Sequence, residues 1–180
     1  MNICIIGDGL SSLTLAKNLI NKKINVSLYY KNIKRKKSPS RTIGVSNNNL
    51  NFFNSNILQL KKNMAWGVKE IEIFSDKKID EKIMNFKKDK KYLFHIFKNH
   101  VVQKYLEESL KKSKLFQKIK IEKNLFYSNI LKEKKYDLII NCESKNKISK
   151  NLFSLKIDKN YNSTSYITIL KHKKTENTKA

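Results

Sequence analysis

An α/β fold, a parallel sheet flanked by helices with a small antiparallel sheet beside it, is predicted from three observations. Ile3 to Ile6 is a continuous apolar run, too short for a helix, that ends in Gly7-Asp8-Gly9. Such a run reads as a strand buried on both faces, the central strand of a parallel sheet. Leu10, Leu13, Ala16, Leu19 and Ile20 then recur at helical spacing, and Asn25 to Tyr30 returns to an extended pattern. Asp137-Leu138-Ile139-Ile140-Asn141 is a second β-branched apolar run, which belongs in the same sheet beside the first.

Strand, glycine turn, helix and strand within about thirty residues is the context in which G-x-G-x-x-G indicates a dinucleotide-binding, Rossmann-like unit. Gly7 permits the tight turn, and Gly9 lets a pyrophosphate come against backbone N–H groups at the positive end of the helix. Ser12 stands at the third glycine position and is small enough for close helix–strand packing. Ser11 and Ser12 are expected to satisfy N–H groups in the first turn. The acidic residue that would hydrogen-bond an adenosine ribose falls at Tyr30. A phenol donates one hydrogen bond there but cannot accept two as a carboxylate can.

Along the rest of the chain, Asn32 to Ser40 is a polar loop holding the single proline, Pro39. Ser46 to Asn49 offers caps for an amphipathic helix running to about Lys62 through Leu50, Phe53, Ile57, Leu58 and Leu60. Val68 to Phe74, Lys82 to Phe86 and Tyr92 to Phe97 read as antiparallel strands. Asn99 starts a helix with Val102, Tyr105, Leu106 and Leu110 on one face, and Lys118 to Glu122 is a returning strand. Leu125 to Leu131 is expected as an edge excursion, Ser149 to Phe153 as a short helical piece, and Tyr161 to His172 as a long strand. No internal repeat is visible.

Composition narrows the classes of function. The 180 residues suffice for one domain with a good core or one and a half with a poor one, and 39% apolar residues argue for a folded chain. The formal charge is +24, yet every basic residue except Arg35 and Arg41 is a lysine, spread along the whole chain with asparagine and isoleucine. Readers of bases and phosphates favour arginine forks, so the lysines read as a solvated face and specific nucleic-acid binding is not expected. No apolar run reaches eighteen residues and no signal peptide precedes the first strand, so a cytoplasmic protein is expected. Cys4 and Cys142 both fall at predicted core strands and read as buried thiols, and His95, His100 and His172 form no metal motif.

Four marks stand in one order: the glycine turn; Ser40-Arg41-Thr42-Ile43-Gly44-Val45-Ser46; Phe97-Lys98-Asn99 opening a helix; and Asp137 to Ser144. Together they resemble the first half of the flavin-dependent aromatic hydroxylases, most closely those that hydroxylate polyprenyl phenols in ubiquinone biosynthesis. The resemblance spans all 180 residues. It implies an FAD-binding Rossmann-like domain over residues 1–155, with strands at about 68–97 belonging to the substrate-side sheet, and the start of a truncated substrate domain over 156–180.

It also implies FAD as cofactor, with NAD(P)H or another donor reducing it and a hydroxyl passed to a lipid-tailed phenol. The flavin would carry that chemistry, so no catalytic side chain is expected. Gly7, Gly9, Ser12 and Tyr30 would lie on the adenosine side. Arg41 matches an arginine that contacts the flavin nucleotide, Asn99 the start of the following helix, and Glu143-Ser144 an Asp-Gly turn associated with cofactors. A lipid-tailed substrate implies visits to the membrane surface, where lysines would meet anionic lipid. The alternative is a nucleotide-binding or partner-binding module without catalysis.

Overall fold

The computed structural model describes residues 1–31, 41–75, 78, 81–87, 92–122, 126–143, 146–152 and 159–164. In chain order the elements are β1 (Asn2–Ile6), α1 (Leu10–Asn21), β2 (Asn25–Tyr30), β3 (Thr42–Ser46), α2 (Asn47–Asn56) and a 3-10 turn at Lys62–Met64. Then come β4 (Ala65–Val68), β5 (Glu70–Phe74), β6 (Lys82–Lys87), β7 (Phe94–Lys98), α3 (Asn99–Lys111), β8 (Phe116–Lys120), α4 (Phe126–Lys132), β9 (Leu138–Asn141) and α5 (Lys147–Leu152). They divide into two compact units, Met1–Lys36 with Gln103–Ile169, and Lys37–Val102 with Leu170–Ala180.

The first unit is the predicted parallel sheet, in the order β8-β2-β1-β9. All its ladders are parallel, with Ile3 paired to Val26 on one side and to Leu138 on the other. The apolar run of β1 is explained by this central place: Ile3, Cys4, Ile5 and Ile6 are at most 2% exposed. Successive side chains alternate faces. Cys4, Ile6 and Tyr29 join Ile121, Tyr127, Ile130 and Ile148 in one core cluster. On the opposite face α1 buries Leu13, Ala16 and Ile20 where Ile3, Ile5, Val26 and Leu28 are also sealed from water. Burying each such side chain stabilises the fold by roughly 1.5–3 kcal/mol before ordering costs.

Helix α3 is amphipathic for a plain reason of spacing. Val102, Leu106 and Leu110 recur every fourth residue and are all but fully buried. Asp137 closes the amino ends of the sheet: its Oδ2 accepts from the N–H of Asn2 at 2.7 Å, and its own N–H donates to the Asn2 carbonyl at 2.9 Å.

In the second unit β3-β7-β4 form an antiparallel sheet, and β5 and β6 a two-stranded ladder. Ser46 caps α2 by accepting from Asn49 N–H at 3.3 Å. Gly67 is required by close approach, because the Tyr92 ring occupies the space any side chain at 67 would need. One face of the ladder carries the cross-strand pairs Ile71–Phe86 and Ile73–Met84. Ile73, Met84 and Phe86 remain exposed on it.

Several expectations are corrected. Residues 126–132 form a helix, not an edge excursion, because Tyr127 and Ile130, three apart, are both drawn into the core cluster. The α2 helix ends at Asn56, well before Lys62, where Leu60 N–H is taken by the Asn54 side chain at 3.0 Å. Val68 to Phe74 is two strands in two sheets, parted at Lys69. Thr42–Ser46 is a strand not assigned above, although Ile43 and Val45 alternate with the more exposed Thr42, Gly44 and Ser46. Cys142 is exposed, standing one residue beyond β9. Residues 161–164 are irregular, not strand, and the remainder of that predicted strand, like the loop over 32–40 and Ser144, lies outside the described residues.

Candidate functional site

The two glycines of the turn have different tasks. Gly7 adopts φ +115°, a conformation L side chains rarely take, and its N–H donates to the Tyr29 carbonyl at 2.7 Å. A Cβ there would stand 3.1 Å from Glu143 Cγ and 3.3 Å from Ser12 Oγ. Gly7 is therefore demanded by the fold itself. Gly9 is not: its φ of −73° is ordinary, and a Cβ on it would meet nothing within 4 Å. It is the N-cap of α1, with no side-chain cap, and its carbonyl accepts from Leu13 N–H at 3.1 Å. The expected serine caps are thus not at the N-cap, and Ser12 is instead 1% exposed, packed beneath the turn as a third small residue should be.

Glu143, just past β9, has its main chain held by side chains the sequence did not single out. Its N–H donates to Asn141 Oδ1 at 3.2 Å and its carbonyl accepts from Ser149 Oγ at 2.7 Å. Asn141 Nδ2 in turn donates to Ser149 Oγ at 2.7 Å, and Asn146 Nδ2 to Asn141 Oδ1 at 2.7 Å. This network fixes the segment whose glutamate side chain lies beside Gly7. The Tyr127 hydroxyl is pushed upward in pKa, first by burial and then by the negative charge of Glu143.

Tyr30 stands at the carboxyl end of β2, where its carbonyl accepts from Ile121 N–H at 2.8 Å. Lys118 Nζ lies 4.7 Å from its ring centroid. Such a contact stabilises by about 0.5–1 kcal/mol at an exposed site. Gly7, Gly9, Ser12, Tyr30 and Glu143 are thus all brought to the carboxyl ends of β1, β2 and β9, the side on which open α/β sheets bind ligands.

Sequence reasoning missed Gln103. Its Nε2 donates to the Asp8 carbonyl in the middle of the glycine turn at 3.3 Å, and reaches Glu107 Oε1 at 3.4 Å. Lys118 Nζ meets the same oxygen at 3.1 Å. The signal was available as an i, i+4 polar pair beside the buried stripe of α3.

Arg41 and Asn99 are brought to each other in the second unit. Asn99 N–H donates to the Arg41 carbonyl at 2.9 Å, continuing the ladder that pairs Thr42 with Lys98. The Arg41 side chain is exposed, whereas Asn99 Oδ1 is buried and has no hydrogen-bond partner among the described residues.

Burial pushes the Cys4 thiol up to about 12, so it stays protonated at neutral pH. Burial and the 2.7 Å contact with the Tyr136 hydroxyl also drive Tyr29 upward. Among the described residues no three His, Cys, Asp or Glu side chains are grouped to hold a metal ion.

No protein-family model matches the sequence, and no curated protein is significantly similar to it. Solved structures do match. PqsL, a probable FAD-dependent monooxygenase from Pseudomonas aeruginosa, superposes with a TM-score of 0.62 at 9% identity, over 88% of this chain and 46% of its own. A mutant of P. aeruginosa PqsL gives 0.64 at 10% identity, over 89% and 47%. The p-nitrophenol 4-monooxygenase PnpA from Pseudomonas putida gives 0.54 at 14% identity, over 66% and 31%. The chain therefore spans less than half the length of these structures. What it shares with them is the fold.

Proposed function

We propose that this chain is the nucleotide-binding part of an FAD-dependent aromatic monooxygenase. The observation that carries the reading is the division of labour in the glycine turn: Gly7 is fixed by the fold, while Gly9 leaves open the space before α1 that a side chain would fill. A pyrophosphate fits such a space, because it meets backbone N–H groups at the positive end of the helix. Gly9 and the first turn of α1 would hold the phosphates, Ser12 would keep α1 close to β1, and Glu143 would line the turn. The resemblance further assigns Arg41 to the flavin phosphates, where a planar fork binds in two bonds, and Asn99 to the helix that follows.

A bound flavin, reduced by NAD(P)H or another donor, would supply the oxygen chemistry. The protein's part is to hold and orient it. The substrate class we favour is a lipid-tailed phenol of the polyprenyl kind, reached at the cytoplasmic surface of a membrane. Support comes from the exposed apolar residues Ile73, Met84 and Phe86 on the β5–β6 ladder, flanked by Lys82 and Lys87. Among the described residues no helix is long and apolar enough to cross a membrane.

A second reading, a nucleotide-binding module without catalysis, is favoured by Tyr30 in place of a ribose carboxylate. One experiment addresses the binding claim. FAD fluorescence is followed as protein is added, with ADP as competitor. Saturable quenching relieved by ADP supports nucleotide binding, and its absence overturns it. Oxygen uptake with a prenylated phenol, in the presence of FAD and NADPH and in a form carrying any further sequence of the gene, then separates enzyme from module.

A further inference from the structure

The end of β2 lacks the carboxylate that usually accepts hydrogen bonds from an adenosine ribose. A carboxylate stands close by on another element. Glu107 Oε1 is met by Gln103 Nε2 at 3.4 Å and by Lys118 Nζ at 3.1 Å. Gln103 Nε2 also donates to the Asp8 carbonyl at 3.3 Å, and Lys118 Nζ also lies 4.7 Å from the centre of the Tyr30 ring. Glu107 is thus linked through one side chain to the glycine turn and through another to the end of β2. Those are the two segments between which the adenosine ribose of a Rossmann-like site is held.

We infer that Glu107, and not residue 30, is the ribose acceptor of this site, an inference that rests on the nucleotide reading above. A carboxylate offers about four lone-pair positions, so the contacts from Gln103 and Lys118 leave capacity for ribose hydroxyls. The two contacts also fix its orientation, and its side chain keeps 23% exposure, enough to be reached. The Tyr30 phenol supplies only one donor, and its ring is already engaged by a cation. An isolated surface ion pair between Glu107 and Lys118 would explain neither the Gln103 link nor the position beside the turn.

The test compares ADP with 2′,3′-dideoxy-ADP, titrated into the 180-residue chain by calorimetry or ligand-observed NMR. A charge-assisted hydrogen bond of ordinary strength predicts that the wild type binds ADP roughly tenfold more tightly than the dideoxy analogue. In Glu107→Gln that preference falls to about twofold or less, while dideoxy-ADP affinity and the thermal midpoint stay unchanged. Glu107→Asp retains part of the preference, which keeps the test valid if the first variant folds poorly. Tyr30→Phe retains all of it. A preference that survives Glu107→Gln, or that disappears in Tyr30→Phe, overturns the inference and leaves nucleotide binding standing. Equal wild-type binding of the two ligands does the same. No binding of ADP or FAD by the wild type overturns the nucleotide reading, and this inference with it.

Discussion

Gly7 and Glu143 are packed so closely that a Cβ on the glycine would lie 3.1 Å from the glutamate Cγ, at a backbone φ of +115°. Both facts penalise any side chain at residue 7. Gly7→Ala should destabilise the protein by about 1–3 kcal/mol, chiefly through backbone strain, since a glutamate side chain can shift by a few tenths of an ångström. At about 2–4 °C per kcal/mol for a chain of this size, a calorimetric melt should fall by several degrees. An unchanged melting temperature would show that the turn relaxes without cost.

Cys4 gives the protein a limit at high pH. Its folded pKa is about 12 against an ordinary 9.0, so the native state keeps a proton that the unfolded chain loses first. Its contribution to stability is complete below pH 9.0 and declines as pH rises towards 12, by up to about 1.4 kcal/mol per pH unit. Tyr29, also shifted upward, adds to the slope in the same direction above its ordinary 10.0. Urea melts from pH 8 to 10.5 should show this decline, and Cys4→Ala should flatten the part that begins near pH 9, at the expense of a small cavity.

Arg41 presents the opposite case, a side chain that the fold does not need. It is exposed, and the hydrogen bond that ties residue 41 to its neighbour is made by the main-chain carbonyl, which accepts from Asn99 N–H. Arg41→Ala should change stability by no more than about 0.5 kcal/mol. If the guanidinium serves the flavin phosphates, FAD affinity falls in the same variant, and Arg41→Lys recovers only part of the loss because the planar fork is gone. FAD affinity unchanged in both would make Arg41 a surface residue.

The charge of +24 should bring weak association with nucleic acid and little else. Counterion release drives such binding, so affinity for a DNA duplex should fall steeply between 50 and 200 mM salt and be indifferent to base sequence. Sequence-dependent affinity that persists at physiological salt would contradict the reading of the lysines as a solvated face.

The parallel sheet was legible in the sequence because its central strand β1 is buried on both faces and so leaves a continuous apolar run. Asn25 to Tyr30 matches β2 residue for residue, and Asp137 to Asn141 contains β9. The strand β3 does alternate, with Ile43 and Val45 less exposed than Thr42, Gly44 and Ser46, but none of the five is fully buried and so short a run with a glycine at its centre is a weak strand signal. The α4 helix was missed because seven residues hold too little periodicity to separate a helix from an extended piece. At the site, the tight turn at Gly7 could be read from the motif. Gln103 and Glu107 were visible only as an i, i+4 polar pair on α3, with nothing to say that they reach the turn, and the Asn141–Asn146–Ser149 network carries no local signature, because it forms through the folding of β9 against α5.

The central claim is that the glycine turn of the first unit receives the pyrophosphate of FAD, and it is tested most directly at Gly9. Nothing lies within 4 Å of a Cβ at this position, so Gly9→Val should still fold, its melting temperature lowered only by the roughly 1 kcal/mol that a poorer N-cap residue costs, while filling the space the phosphates would take. Calorimetric titration of the wild-type chain with FAD should give weak binding, competed by ADP and not by riboflavin, because only the adenosine and phosphate side is gripped here. Gly9→Val should weaken it by at least about tenfold, the loss of one charge-assisted hydrogen bond. FAD affinity that is the same in wild type and Gly9→Val, or no FAD binding at all by the folded wild type, would contradict the account.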